Sequence, residues 1–183
     1  MRTPRPTDHL ARFRAETRQR IQRYGFTKLI IGTGECSIPG CDCEPDLHPY
    51  AYTLGMHRHD SHEFVTFGLP LSKVSAVVDP VCKMTLDGLP LAVGRDHRFH
   101  LSDDLVVSLV DVPDLWVEHD PGRVGAWFDL YEPQFPTFVQ IFWGDEQGRM
   151  PWEPACNPAV ATMQPMLFED AMSVPPPAMD SRR

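Results

Sequence analysis

Hydrophobic and polar residues follow two different periods along this 183-residue chain. Five short segments rich in β-branched and aromatic residues predict strands at Phe26–Ile31, Tyr50–Met56, Glu63–Leu69, Asp104–Val112 and Thr137–Trp143. Apolar residues spaced three or four apart predict helices at Thr7–Gly25, Pro70–Gly88 and Val124–Tyr131. Within the second helix, Pro80 is expected to kink or divide the chain, and Asp79 is expected to cap the second piece.

The order of these elements predicts the fold class. Strands and helices do not alternate regularly, and most of the 19 prolines fall between elements, which disfavours a regular βαβ array. We therefore expect a single α+β domain with an antiparallel or mixed sheet of short strands and flanking helices, with a split barrel as a variant of that sheet. The expected parts are a basic N-terminal helix over residues 1–24, a globular domain over 25–168 and a Pro-rich disordered tail over 169–183.

Charge is distributed unevenly along the chain. Residues 1–28 hold eight basic side chains against two acidic ones, whereas the whole chain has a net charge of −8. Basic and aromatic residues do not stay interleaved beyond Lys28, so nucleic acid is expected as a partner only through the basic helix. No segment is apolar enough to cross a membrane, and none resembles a secretory signal. We therefore expect a cytoplasmic protein without a membrane partner.

Residues that bind metals concentrate in one part of the chain. The candidate zinc ligands are Cys36, Cys41, Cys43, His48, His57, His59 and His62. Thiolates and imidazoles are the ligands of tetrahedral zinc, and a structural zinc ion would order the long loop between the first two predicted strands. The alternative is that these thiols are reduced and partly buried.

The loop His57–His62 has a second interpretation. Its sequence His-Arg-His-Asp-Ser-His is similar to the ligand loop of metallo-β-lactamase-type hydrolases, with the aspartate one place early. In an extended segment His57 and His59 point to the same side, where they suit a shared metal ion. The alternative is that exposed histidines occupy the tip of a hairpin loop.

Three motifs carry a resemblance to a known family. They are Tyr52-Thr53-Leu54-Gly55 continuing through His62-Glu63-Phe64 to Phe67-Gly68-Leu69-Pro70, then Gln140-Ile141-Phe142-Trp143, then Gly148-Arg149-Met150-Pro151-Trp152-Glu153-Pro154 with Gln164-Pro165. Their order and spacing resemble the bacterial domain-of-unknown-function family 4262, common in actinobacteria and also met in phages. The resemblance covers about residues 25–168 and implies a fold without an activity. A weaker similarity, of the first motif to strands of flavin-binding split-barrel oxidoreductases, implies flavin as a cofactor.

The Pro-Trp-Glu-Pro motif indicates a further candidate site. The candidate binding residues there are Trp143, Trp152 and Glu153. The prolines restrict the backbone on both sides of an indole and a carboxylate. A rigid aromatic residue suits a binding anchor, but the alternative that it covers the end of the core is favoured.

These patterns leave three functional hypotheses. Each enzyme class lacks a required part, so we favour a non-catalytic binding or regulatory module with another protein as its partner, and leave open whether the chain is an enzyme. The first alternative is a zinc-binding protein, in which the zinc is structural or, less readily, serves a metal-dependent hydrolase. The second alternative is a flavin-binding oxidoreductase of the split-barrel type.

Overall fold

The computed structural model describes residues 6–32, 49–119, 124–131 and 135–170. The helices are α1 (Pro6–Tyr24), α2 (Leu71–Leu86), α3 (Leu115–His119), α4 (Gly125–Tyr131), α5 (Pro158–Thr162) and α6 (Leu167–Asp170). The strands are β1 (Thr27–Ile31), β2 (Tyr50–Leu54), β3 (Glu63–Phe67), β4 (Phe99–Ser102), β5 (Leu105–Val112) and β6 (Phe138–Trp143). A 3-10 turn covers Met56–His59. Among the described residues, no helix combines the length and the apolar character needed to span a bilayer.

The six strands form one mixed sheet in the order β1-β2-β3-β6-β5-β4. Neighbouring strands are antiparallel except β3 and β6, which run parallel with Glu63 opposite Phe138. A parallel pair needs a long crossover, which the chain supplies with α2, the β4–β5 hairpin, α3 and α4. This confirms the predicted α+β class. In the described residues β1 and β4 are the two ends of the sheet, so the split-barrel similarity rests on the strand sequences alone.

Helices cover both faces of the sheet, because its central strands are apolar on both sides. On one face, Val78 and Val81 of α2 pack with Ile141 in a buried cluster. On the other face, Ile21 of α1 and Trp127 of α4 belong to a second cluster. Every residue of β2 and β3 is buried. The connection between these two strands therefore starts and ends in the interior.

Pro80 does not divide α2, so the expectation of two helical pieces is wrong, whereas a kink at Pro80 stays a prediction. The helix is continuous over Leu71–Leu86 with Pro80 inside it. A proline in a helix interior costs about 3 kcal/mol, but each buried valine beside it contributes roughly 1.5–3 kcal/mol by packing on the sheet. Asp79 is not a helix cap either, because its carboxylate forms an ion pair with Lys28 of β1.

Gly55 turns the chain out of β2 and into the 3-10 turn. Its φ of +111° lies in a region where residues with a side chain are strained. A Cβ atom at this position would lie 2.8 Å from Ile21 Cγ2 and 2.9 Å from Gly25 O. Helix α1 therefore packs directly on the backbone of this turn, and glycine leaves the space that the contact needs.

We expect Gly55→Ala to lower the free energy of unfolding by at least about 3 kcal/mol, because strain at positive φ adds to overpacking against a backbone carbonyl. Gly88→Ala is the matched control. Gly88 has a φ of +74° and no atom within 4 Å of a Cβ position. Its substitution by alanine should therefore cost only the backbone strain of roughly 1 kcal/mol. Urea unfolding followed by circular dichroism measures both values. Equal losses at the two positions would contradict the packing of α1 on the turn.

Candidate functional site

Glu63, at the start of β3, is completely buried. Its Oε2 accepts from Thr53 Oγ1 at 2.6 Å, and its Oε1 accepts from Gly55 N at 2.8 Å. Oε1 also accepts from His57 N at 3.2 Å and from His57 Nδ1 at 2.8 Å. Thr53 Oγ1 itself accepts from Phe64 N at 2.8 Å, so its own proton is directed to Glu63. Because the Thr53 hydroxyl and the two backbone amides all donate, the carboxylate is satisfied in its ionised form, and toward an ionised carboxylate Nδ1 of His57 is a donor as well.

The 3-10 turn holds His57 beside Glu63. Two residues with positive φ, Gly55 and Asp60, bracket the turn, and Met56 anchors it in the core. The His57 side chain is 26% exposed. Because Nδ1 donates to the carboxylate, a neutral His57 ring carries its proton on Nδ1. Nε2 is then an acceptor, and it makes no hydrogen bond within the described residues.

Two aromatic residues of α4 pack on the His57 ring. The ring centres of Trp127 and Tyr131 lie 4.5 Å and 4.4 Å from that of His57, in edge-to-face arrangements. Tyr131 is half-buried, and its hydroxyl has no hydrogen-bond partner in the part of the chain that the structure describes. Burial and, to a smaller extent, the charge of Glu63 raise the pKa of Tyr131. Tyr131 is therefore a neutral phenol at neutral pH.

Two arginines act on the Tyr131 hydroxyl through their charges. Arg58 follows His57 in the turn, and Arg18 lies one helical turn before the residue of α1 that packs on the turn. Both arginines are exposed, and their charges oppose the rise in the pKa of Tyr131. The residues of this constellation, which we call the His57 site, are Arg18, His57, Arg58, Glu63, Trp127 and Tyr131.

The other two histidines of the turn region do not join His57. His59 Nε2 lies 3.3 Å from Gly25 O, and His62 Nδ1 lies 2.9 Å from Thr137 Oγ1. The expectation that His57 and His59 share one side assumed an extended segment and is wrong, because the segment is a 3-10 turn. Within the described residues, no three His, Cys, Asp or Glu side chains are grouped to hold a metal ion.

The predicted cysteine part of the zinc site is not covered by the structure. The ligands Cys36, Cys41, Cys43 and His48 lie outside the described residues. A structural zinc in that loop therefore stays a prediction.

The predicted binding residues Trp143, Trp152 and Glu153 lie at the opposite end of the parallel β3–β6 pair from Glu63. Trp143 Nε1 donates to a main-chain carbonyl of β3 at 2.9 Å. Trp152 is half-buried and packs edge to face on Phe142, with ring centres 5.1 Å apart. Glu153 forms an ion pair with Arg98 at 3.0 Å. These contacts within the chain are those of residues that cover the end of the core.

Asp145 organises the loop that follows β6. Its carboxylate accepts from the backbone amides of Gln147, Arg149 and Asn157 at 3.0, 2.9 and 3.0 Å. It also pairs with the Arg149 guanidinium at 2.8 Å. The hydrogen bond from Arg149 holds the pKa of Asp145 well below its usual range. The sequence patterns do not reveal this number of partners for Asp145.

The sequence patterns also do not reveal Glu63 or Tyr131 as site residues. The available signal for Glu63 is its place in β3, since a charged residue within a strand buried on both faces requires donors around it. Spacing carries no signal that Tyr131 meets His57, because the two residues lie far apart in the chain and belong to different elements. Only the packing of α4 on the turn brings them together.

The comparison with family models agrees with the resemblance seen in the sequence motifs. The chain belongs to the family described as Domain of unknown function (DUF4262), whose model matches residues 20–157. This range includes His57, Glu63 and Tyr131, whereas Arg18 lies just outside it. No curated protein and no solved structure matches the chain significantly. The family assignment is thereby confirmed, and it supplies no activity.

We expect neutral His57 to carry its proton on Nδ1, because the buried carboxylate of Glu63 accepts from that nitrogen. Long-range proton–nitrogen correlation spectra of the histidine rings, recorded above pH 8, distinguish the two tautomers. The exposed His97 is the control and should show an average of both. A protonated Nε2 with an unprotonated Nδ1 in His57 would contradict the arrangement.

Asp145→Asn is expected to lower the melting temperature at pH 7, because an amide cannot form the ion pair with Arg149. Since the folded protein depresses the pKa of Asp145, this stabilisation is present above the ordinary Asp pKa and is lost as pH falls toward the folded value. The difference between wild type and variant should therefore shrink in strong acid. The exposed neighbour Glu146→Gln is the control, and a constant difference from pH 7 to pH 2 argues against the ion pair.

Proposed function

We propose that this protein is a ligand-binding module and that its ligand binds at the His57 site. The observation that carries the proposal is a pair of polar groups on adjoining rings, His57 Nε2 and Tyr131 Oη. Neither makes a hydrogen bond within the described residues, although the ring centres are 4.4 Å apart and both residues are partly buried. Neither atom is one of the fully buried polar atoms without a partner in the described residues, so both reach solvent, where water or a ligand can complete their hydrogen bonding.

The surroundings of these two groups support binding because they fix the positions of both rings. Glu63 holds Nδ1 of His57, and the completely buried carboxylate is itself held by four donors. Trp127 is buried and packs on both rings, with its centre 4.6 Å from that of Tyr131. A site whose groups are already oriented loses less conformational entropy when a ligand binds.

A non-catalytic role fits this site better than nucleophilic catalysis. Among the described residues near Glu63, Thr53 directs its hydroxyl proton to the carboxylate. Cys82 is buried in the core, where burial first and the charge of Glu63 second raise the pKa of its thiol. Neither residue is an activated nucleophile at neutral pH. The zinc and flavin hypotheses, and the expected protein partner, stay predictions.

A thermal-shift screen tests the proposal with four classes of small molecule: carboxylates, phosphates, amines and neutral sugars or nucleosides. The test variant is the double substitution His57→Gln and Tyr131→Phe, in which glutamine keeps a donor for Glu63. The control is His97→Gln with Tyr24→Phe, two exposed residues outside the site. We expect at least one class to stabilise the wild type and the control but not the test variant. At a hundredfold excess over Kd the shift should be roughly 5–10 °C.

The screen also has a clear negative outcome. If every compound that stabilises the wild type stabilises the test variant equally, the ligand does not bind at the His57 site. The same holds if no class shifts the wild type at all. Unfolding curves recorded without ligand show whether the test variant is folded, so a loss of the shift is not confused with a loss of structure.

A further inference from the structure

We infer that the ligand of the His57 site is a small anion, with a carboxylate or a tetrahedral oxyanion as the bound group, and that it binds most tightly when His57 is protonated. This inference rests on the proposed function and names the ligand class of the same site. Binding of the anion would then depend on pH, through a histidine that no sequence motif assigns to an anion.

The first argument is the placement of two arginines from different elements. Arg58 follows His57 directly, and its amide donates to Gly55 O at 3.1 Å, which fixes its backbone in the turn. Arg18 lies on α1, which packs on the same turn through Ile21. The two arginines therefore belong to elements that meet at the turn, and the charges of both act on the pKa of one partly buried phenol, in a chain whose net charge is −8.

The second argument is that the two arginines, Tyr131 and His57 can all donate hydrogen bonds to a ligand. Guanidinium groups have no acceptor atoms. Tyr131 keeps its proton at neutral pH and can donate it. His57 donates through Nε2 once that nitrogen is protonated, since Nδ1 is already directed to Glu63. A ligand group that carries only acceptors, such as a carboxylate, satisfies all of these donors.

The third argument is the local sum of charges. Glu63 contributes one negative charge paired with His57, and Arg18 and Arg58 contribute two positive charges that act on the neighbouring Tyr131. With neutral His57 the four groups therefore carry one net positive charge, and with protonated His57 they carry two. An anion gains from the second charge, so binding the anion and binding the proton should favour each other.

Among the side chains that the structure describes, the other titratable groups around His57 do not alter this sign. From α4, Tyr131 stays neutral, and from α2, the thiol of Cys82 stays protonated because burial raises its pKa. Within the turn, His59 is directed to Gly25 O, and Asp60 is exposed at the end of the turn. Among the groups named here, protonation of His57 is therefore the change in charge that strengthens the binding of an anion.

Titrations with sulfate and with acetate test the inference, because both anions keep a constant charge between pH 6 and pH 8. Amide and histidine-ring signals of the full chain report binding, and Kd is compared at the two pH values. We expect the site to bind one or both anions about fivefold more tightly at pH 6, the change that one added charge about 4 Å away produces in bulk water. Tighter sulfate binding would indicate a tetrahedral oxyanion as the natural group, and tighter acetate binding a carboxylate.

Variants distinguish the site from unspecific effects of pH and salt. His57→Gln should remove the pH dependence and keep the weaker binding seen at pH 8. Arg18→Gln and Arg58→Gln should each raise Kd by about fivefold at both pH values. Arg23→Gln is the matched control, since Arg23 is also exposed on α1 but stacks on Tyr24. The same effect from Arg23→Gln would indicate a general attraction to the basic helix.

The outcomes separate this inference from the proposed function. If neither anion shifts the signals of His57 and Tyr131, or if Kd is equal at the two pH values, the inference is wrong. If the thermal-shift screen then yields amines or neutral molecules that need His57 and Tyr131, the binding site stands with a different ligand class. If the screen yields no such molecule, both fail together.

Discussion

The buried carboxylate of Glu63 is the interaction on which the turn between β2 and β3 depends. Moving a carboxylate out of water costs several kcal/mol unless donors replace the lost hydration. Here the donors come from β2, from the turn and from the His57 ring. Two backbone amides converge on one oxygen only because Gly55 adopts a positive φ. The charge, the glycine and the 3-10 turn therefore form one unit, and the loss of one member leaves a buried ion with fewer partners.

The influence of this charge extends to both helical layers. It contributes to the raised pKa of Tyr131 in α4, on one face of the sheet, and of Cys82 in α2, on the other. The backbone amide of Glu63 also donates to Thr137 O at 3.0 Å, which ties this end of β3 to the residue before β6. The carboxylate thus lies where the layers and the parallel strand pair meet.

The far end of the same strand pair is held by separate interactions. The side-chain amide of Gln164 accepts from Trp143 N at 3.0 Å and donates to Trp143 O at 2.9 Å, which gives the end of β6 a substitute for a strand partner. Asp145 closes the following loop with three backbone amides. Hydrogen bonds therefore hold both ends of the parallel pair, and the His57 site lies at one of these ends.

The sequence predicts the strands well and the site poorly, for physical reasons. Strands such as β2 and β6 are rich in β-branched and aromatic residues, and burial on both faces makes this composition visible. The four-residue strand β4 is half exposed, so its pattern is too weak to detect. Helix α2 continues through Pro80 because it packs against the sheet. A rule that considers only the residues next to a proline in the sequence does not include this packing.

The histidine-rich loop points to the correct turn but to the wrong partners. The spacing of His57 and His59 suits a shared zinc ion only if the backbone is extended. Instead, the segment is a 3-10 turn between two residues with positive φ, and His57 is directed toward Glu63. The contacts with Trp127 and Tyr131 arise from the tertiary packing of α4. Sequence spacing can identify a group of chemically active residues, but the partners of each one depend on the backbone conformation.

The distribution of charge bears on which anions this fold can accept. The chain as a whole is acidic, so its long-range field repels a polyanion such as nucleic acid, and this repulsion acts over about a Debye length. Part of the basic charge of α1 already acts within the chain, since Arg12 pairs with Glu16 at 2.7 Å and the charge of Arg18 acts on Tyr131. At long range the chain repels a small anion less than it repels a polyanion. At short range a small anion can accept hydrogen bonds from all of the donors of the His57 site. If the ligand is the anion inferred above, the acidic body and the local cluster of donors together favour small anions over extended ones.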